Sequence, residues 1–370
     1  MAVIQPARKH PELSVIVPVR NEAAHIRAIL AQLCDQSLAP DLYEILVVDG
    51  YSDDETRTLV RLAAAEHPHI HLLFNPQVTS GSGRNVGARH ACGRYLLFVD
   101  GHCRVESRTM LASALAAFRR GERCLSRPQP LIGESVGLFA RAVALARDSV
   151  LGHHTGSKIY DGGAGSCNPL SAGCGYTREL YVKLGGVDEA FDAGEDLEFN
   201  LRVHRQGIEA WHDPDLTVSY YPRAGWPALF RQLYRYGHGR ALMARRHPGT
   251  LSPPASLLAM FALWLVVLPV AGLAWPPAWL AWGAIAGAYA ATVVLGAGHV
   301  VRWRPGPLWA AVASCFAAIH LGAGFGYLMG LVGGPGWRQA VAARTRVRVE
   351  QEHAGTAEAP SAALGRRLSD

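Results

Sequence analysis

Residues 96–105 read LLFVDGHCRV. The apolar run from Leu96 to Val99, preceded by Gly93-Arg94-Tyr95, reads as a strand covered on both faces. It ends in Asp100-Gly101-His102, a carboxylate and an imidazole two positions apart. A polar turn closing a strand would explain an isolated Asp-Gly. Two metal-capable side chains at a buried strand end are the sharper reading, and the rest of the chain decides between them.

Upstream, the chain alternates apolar strands with helical stretches. Residues 13–19 are strand-like, and residues 22–36 have helical spacing through Ile26, Ile29, Leu30 and Leu33. A strand over 43–48, a helix over 53–66, a strand over 70–74, a helix beginning near Arg84 and a strand over 95–99 follow. This alternation predicts an α/β domain, Rossmann-like, with a mostly parallel sheet. Such sheets bind ligands beyond the carboxyl ends of their strands. The polar clusters sit at those ends: Arg20-Asn21-Glu22, Asp49 through Asp54, and Asp100 through His102. No G-x-G-x-x-G follows the first strand and no P-loop is present, which argues against the usual NAD and ATP enzymes.

Each cluster also has its own chemistry. Asp49 can accept from a base N–H, and Asp53 is the expected cap of the following helix, with Thr56 three residues on. Gly81-Ser82-Gly83-Arg84-Asn85 is read as a flexible opening to a helix, its N–H groups and Arg84 suited to a phosphate. Asp100 and His102 together suit Mn²⁺, and Mg²⁺ less readily, with positions left open for diphosphate oxygens. Further on, Glu195-Asp196 opens a helical stretch in GEDLEFNLR, where the dipole holds an acid ionised and able to act as general base.

The second half of the chain is different in kind. Hydrophobic residues make up 49% of the 370 positions and charged residues 18%, a shift toward membrane contact. The shift is local to charge-free runs at 257–275, 278–297 and 308–332. Nineteen helical residues rise about 28 Å, close to the ~30 Å of hydrocarbon. The first two runs therefore read as membrane helices. The third is weakened by Gly322, Gly324, Gly326 and Gly330, and by His320. Residues 226–241 (WPALFRQLYRYGHGRA) are amphipathic and read as an interfacial helix, with Trp226, Phe230 and Leu233 on one side and Arg231, Arg235 and His238 elsewhere.

Formal charge is +6. Arg231, Arg235, Arg240, Arg245 and Arg246 precede the first apolar run, and Arg302 and Arg304 separate the second from the third. The positive-inside rule then puts the catalytic part in the cytoplasm, on a multi-pass protein of the cytoplasmic membrane. Three full spans would leave Arg338, Arg344, Arg346 and Arg348 outside, so the third run is read as a span with a re-entrant or interfacial course as the alternative. No signal peptide is seen before Leu13, and seven cysteines without a C-x-x-C pair fit a reduced compartment. The expected layout is a catalytic domain over 1–225, an interfacial segment over 226–256, two to three membrane helices over 257–333, and a basic, then disordered, tail over 334–370.

In this order the motifs resemble those of the family 2 glycosyltransferases, which have a GT-A fold. The resemblance runs from about Leu13 to Arg240. SVIVPVRNE resembles the family's first strand, which implies Pro18 and Glu22 on uracil, with Arg20 between them; VVDGYSDDET implies Asp49 on the base. SGSGRNVGARHACGRYLLFVDGH resembles the run ending in the D-x-D metal motif, implying Arg84, Asn85 and Asp100 at the nucleotide-sugar and Asp100 and His102 at a divalent metal. GEDLEFNLR implies Asp196, with Glu195 beside it, as catalytic base, and Gln232-Leu233-Tyr234-Arg235-Tyr236 resembles the Q-x-x-R-W motif of processive synthases. Arg178 falls where the acceptor-side loop would lie, so Arg178, Gln232 and Arg235 are assigned to diphosphate or acceptor. The D-x-H spelling and membrane tail look most like succinoglycan-type transferases. Polypeptide N-acetylgalactosaminyltransferases share D-x-H but are retaining and carry Asn where this chain has Asp196, so the resemblance implies inversion. It implies a UDP-sugar donor, a polyprenyl-diphosphate-linked saccharide acceptor and contact with membrane lipids, with no nucleic-acid partner. A processive polysaccharide synthase and a non-catalytic nucleotide-sugar-binding membrane protein are the alternatives.

Overall fold

The computed structural model describes residues 10–133, 137–152, 158–160 and 162–333. The expected tail over 334–370 and the His153-His154 pair lie outside them. In chain order the strands and helices are β1 (Leu13–Val19), α1 (Ile26–Cys34), β2 (Tyr43–Asp49), α2 (Thr56–Glu66), β3 (Ile70–Phe74), α3 (Ser80–His90), β4 (Tyr95–Phe98) and β5 (Cys103–Val105). Then come α4 (Met110–Arg119), β6 (Cys124–Ser126), α5 (Leu138–Arg147), β7 (Gly165–Cys167), β8 (Gly173–Thr177), α6 (Arg178–Lys183) and α7 (Glu195–Arg205). The series ends with β9 (Ala210–His212), β10 (Val218–Tyr220), α8 (Trp226–Arg246), α9 (Pro253–Gly272), α10 (Pro277–Val300) and α11 (Pro307–Leu331).

The main sheet has the order β3-β2-β1-β4-β8-β6-β9-β7. β1 to β4 are mutually parallel, whereas β8 joins β4 antiparallel. Alternation along β1 sorts the core into two layers. Leu13, Val15 and Val17 pack with Ile26, Ile29 and Leu33 of α1 on one face. Ile16 packs with Val86 of α3 and Phe199 of α7 on the other. Each fully buried aliphatic side chain contributes roughly 1.5–3 kcal/mol. Because β2 lies to one side of β1 and β4 to the other, the strand order reverses at β1 and opens a crevice at the carboxyl ends.

Two expectations are corrected here. The glycines at 81 and 83 belong to the first turn of α3, which Thr79 caps by accepting from the Ser82 N–H, so the stretch is not a flexible lead-in. Helix wins over glycine's poor propensity because it is pressed onto the sheet: a Cβ at Gly87 would run into Ile16. Asp54, not Asp53, accepts from the Thr56 N–H at the start of α2 (2.9 Å), while the Asp53 N–H donates to the Asn21 side chain.

Three helices, α9, α10 and α11, are long and apolar enough to cross a membrane. The glycines that weakened the third run do not loosen it. A Cβ at Gly322 would lie 2.7 Å from the Phe230 carbonyl oxygen, one at Gly330 2.9 Å from that of His238, and one at Gly326 would collide with that of Tyr234. Spaced four apart, they form a small-residue seam on which the backbone of α8 rests. α5 joins the same body, with Ala142, Val143 and Ala146 packed with Leu229, Val293 and Phe316.

Candidate active site

The two acidic clusters face each other across one cleft, lined by Arg84, Asp100, His102, Arg127, Glu195 and Asp196 and by Gln232, Arg235 and Tyr236 of α8. Asp100 leaves β4 with both carboxylate oxygens engaged: Arg84 Nη2 donates to one (3.0 Å) and the Tyr220 hydroxyl to the other (2.7 Å). Burial pushes the Asp100 carboxyl up, but Arg84, His102 and Tyr220 outweigh it and hold its pKa below the ordinary value. Arg84 Nε also lies 3.6 Å from Glu195, so one guanidinium bridges clusters almost a hundred positions apart. Glu195 has the opposite balance. Burial pushes its pKa up against the pull of Arg84, and Asp196 adds to the rise.

Asp196 is exposed in the cleft and accepts the Leu197 N–H (2.8 Å) at the start of α7. Gly194 makes the abrupt entry to that helix at φ 83, a left-handed conformation glycine reaches without strain. The loop before it is clamped by α8. Arg235 donates from Nε to the Asp192 carboxylate (3.2 Å) and from Nη2 to its carbonyl (2.7 Å). Gly239 lies so close that a Cβ would strike the Ala193 carbonyl. Helix α8 therefore sets the position of the acidic loop.

His102 places Nδ1 3.0 Å from Glu22 Oε1. A carboxylate only accepts, so Nδ1 is the donor in this bond. Glu22 thus reaches the site through His102. Pro18, Arg20 and Asp49 lie at the neighbouring ends of β1 and β2 rather than in the cleft lining. Asp49 is 0% exposed and accepts from the Ser52 N–H (3.1 Å) and hydroxyl, a closed arrangement that a base edge would have to open.

Two expected site residues are elsewhere. Asn85 is buried under the loop at 186–189, donating to the Val187 carbonyl (2.9 Å) and Glu189 (2.8 Å) and accepting from the Tyr181 hydroxyl (2.9 Å). It fixes that loop instead of facing a ligand. Arg178 follows β8, whose antiparallel course pairs Thr177 with Tyr95 and delivers Arg178 to the amino-terminal edge of β4, opposite the cleft. One residue was missed. Arg127, 2% exposed after β6, donates to the Phe98 carbonyl (2.9 Å), while its Nε and Nη1 have no hydrogen-bond partner among the described residues. An arginine breaking the apolar stretch at 124–126 was its only signal.

The comparisons agree with this geometry. The sequence matches the family model described as Glycosyl transferase family 2 over residues 14–142. It is 30% identical over 346 residues to the succinoglycan biosynthesis protein ExoA of Rhizobium meliloti, covering 90% of this chain and 96% of that protein. It is 23% identical over 244 residues, 63% of this chain and 74% of the relative, to the dolichyl N-acetyl-alpha-D-glucosaminyl phosphate 3-beta-D-2,3-diacetamido-2,3-dideoxy-beta-D-glucuronosyltransferase of Methanococcus voltae. Among solved structures it resembles the mannosyltransferase PcManGT of Pyrobaculum calidifontis in complex with GDP-Man and Mn²⁺, with a TM-score of 0.53 and 20% identity over 85% of this chain and 87% of that one. The nearly full-length match to ExoA and the crevice at the reversal of a GT-A sheet lead to one conclusion: the chain is a glycosyltransferase of family 2.

Proposed function

We propose that the protein transfers a hexose, with inversion, from a UDP-sugar to a lipid-linked saccharide at the cytoplasmic face of the membrane. The observation that carries this reading is the shared cleft of Asp100/His102 and Asp196, walled by a helix that also packs on the apolar bundle. Asp196, exposed in the cleft at the amino terminus of α7, takes the proton of the acceptor hydroxyl. That oxygen forms its bond to C1 as the bond from C1 to the diphosphate breaks, and the electron pair leaves with UDP. Base and leaving group on opposite sides of the sugar give inversion. Arg84 and the unpaired N–H groups of Arg127 are placed to meet negative charge on the departing diphosphate.

The donor set fits a divalent cation, Mn²⁺ or Mg²⁺. Asp100 and His102 supply a carboxylate oxygen and an imidazole nitrogen, and Glu22 orients the imidazole as carboxylates commonly do behind metal-bound histidines. Among the described residues no cluster of three or more His, Cys, Asp or Glu with metal-holding geometry occurs, so the remaining ligands would be diphosphate oxygens and water. When bound, the cation would stabilise charge on the nucleotide leaving group. The lipid acceptor and cytoplasmic side are supported by α8, whose cleft wall is continuous with the bundle, and by the arginines flanking the apolar segments.

The test uses membranes containing the full chain, a panel of labelled UDP-hexoses and native lipid extract. One donor is expected to label a solvent-extractable product, with the anomeric configuration opposite to that of the donor. Chelation is expected to remove at least nine-tenths of the rate and Mn²⁺ to restore it. Transfer only to water, a retained configuration, or full activity in chelator would each overturn the corresponding part of the reading.

A further inference from the structure

α8 and α11 run side by side in the same direction. Near one end the Trp226 indole donates to the Ser314 carbonyl (3.1 Å), and near the other Arg245 donates to the Gly330 carbonyl (3.2 Å). Between these points the glycine seam keeps the backbones in contact. The shared length, from 314 to 330, is about 24 Å at 1.5 Å per residue. α8 carries Arg231, Arg235, Arg240, Arg245 and Arg246, and its Gln232, Arg235 and Tyr236 line an open cleft. Such a helix cannot cross hydrocarbon, so the partner beside it lies at the same depth.

The ends of α11 agree. α9 and α10 form an antiparallel hairpin, with the Trp282 indole donating to the Leu265 carbonyl (3.3 Å), the Phe261 and Tyr289 rings 4.4 Å apart, and Gly272 against Trp279. The start of α9 and the finish of α10 are therefore at one end of the hairpin. α11 begins beside the finish of α10, where the Trp309 indole donates to the Val294 carbonyl (2.9 Å). It ends beside the start of α9, where Tyr327 packs with Ala255 and Ala259. A third span would carry Tyr327 toward the α9–α10 turn.

Exposure gives a third, independent sign. α9 and α10 present Leu257, Trp264, Val267, Leu280 and Leu295 to their surroundings, as helices in lipid do. From 311 to 328, α11 has no exposed residue. A spanning helix at the side of a three-helix bundle would show a lipid-facing strip.

We propose that α11 does not cross the membrane. It lies in the plane of the leaflet, across the base of the α9–α10 hairpin, and with α8 above it forms the surface by which the catalytic domain sits on the headgroup boundary. The chain crosses twice, and it leaves α11 on the side from which it entered α9. Arg338, Arg344, Arg346 and Arg348 then fall on the same side as Arg231 through Arg246, which removes the conflict with the positive-inside rule. The proposal needs α9 and α10 to be spans, but is independent of donor and acceptor.

The experiment uses the full chain in a bacterial inner membrane, with an epitope tag at the amino terminus and either green fluorescent protein or alkaline phosphatase fused after Asp370. A third version carries the tag in the turn at 274–276. The amino-terminal tag is expected to be cleaved by protease in inverted vesicles only, the fluorescent fusion to be bright and the phosphatase fusion inactive, and the turn tag to be cleaved in right-side-out vesicles only. An active phosphatase on the far side from the amino-terminal tag means three crossings and overturns the proposal. All three markers on one side mean no crossing and overturn it too. The two terminal markers stand without the insertion if the tagged turn disrupts the hairpin.

Discussion

Asp196→Asn is expected to lower transfer by about 10³-fold, within the 10²–10⁴ range of positioned general bases, while UDP still binds with unchanged affinity. The amide keeps the size of the carboxylate and leaves an oxygen to accept the Leu197 N–H, so α7 keeps its first turn. Only the capacity to take a proton is lost. Steady-state rates with the identified donor, beside calorimetric titration with UDP, separate the two effects. A variant with normal turnover would remove Asp196 from the chemistry and shift attention to the neighbouring Glu195, whose burial raises its pKa.

The second large effect is remote from the cleft. Gly326→Leu is expected to reduce transfer by at least about 10²-fold, the loss a misplacement of about 1 Å can cause in an active site. A side chain there meets the Tyr234 carbonyl, and backbone against backbone has no rotamer by which to escape. α8 must lift, and with it Arg235, which grips Asp192, and Gln232 in the cleft wall. UDP affinity is expected to change less, because the residues proposed to hold the nucleotide, Pro18 and Asp49 among them, lie on β1 and β2 and not on α8. Gly287→Leu is the matched control, since nothing lies within 4 Å of a Cβ at that position of α10. Equal losses in the two variants would mean that the seam has no special role.

The first four strands were legible because each holds at least three consecutive apolar residues and is set between helical spacings. β5, β6, β7, β9 and β10 are three residues long and carry no periodicity to read. Their pairing is decided by the tertiary fold, as where β10 brings Tyr220 onto Asp100. The same limit explains Arg178. Its position depends on β8 running antiparallel to β4, a fact of topology that local pattern does not contain. Asp100, His102, Glu195 and Asp196 were legible because they stand at boundaries between apolar periodic segments. Arg127 was not, because a cation inside a folded domain looks in sequence like one on a surface. The glycines of α11 were misjudged for a related reason: propensity counts their cost within one helix, whereas their use lies in the approach of another.

The bridging position of Arg84 has a thermodynamic consequence. One guanidinium pairs with both Asp100 and Glu195. A free cation arriving at Asp100 would have to compete with the guanidinium for it, and a free nucleotide would meet two acids. With both bound, the cation would be held by Asp100 and the guanidinium would be left to the nucleotide's phosphates. Mn²⁺ and UDP are therefore expected to show strong positive synergy, each raising the other's affinity at least about tenfold, a coupling of about 1.4 kcal/mol that must be equal in both directions. Titration of each in the absence and presence of the other measures it, and additive affinities would mean that the guanidinium stays where it is.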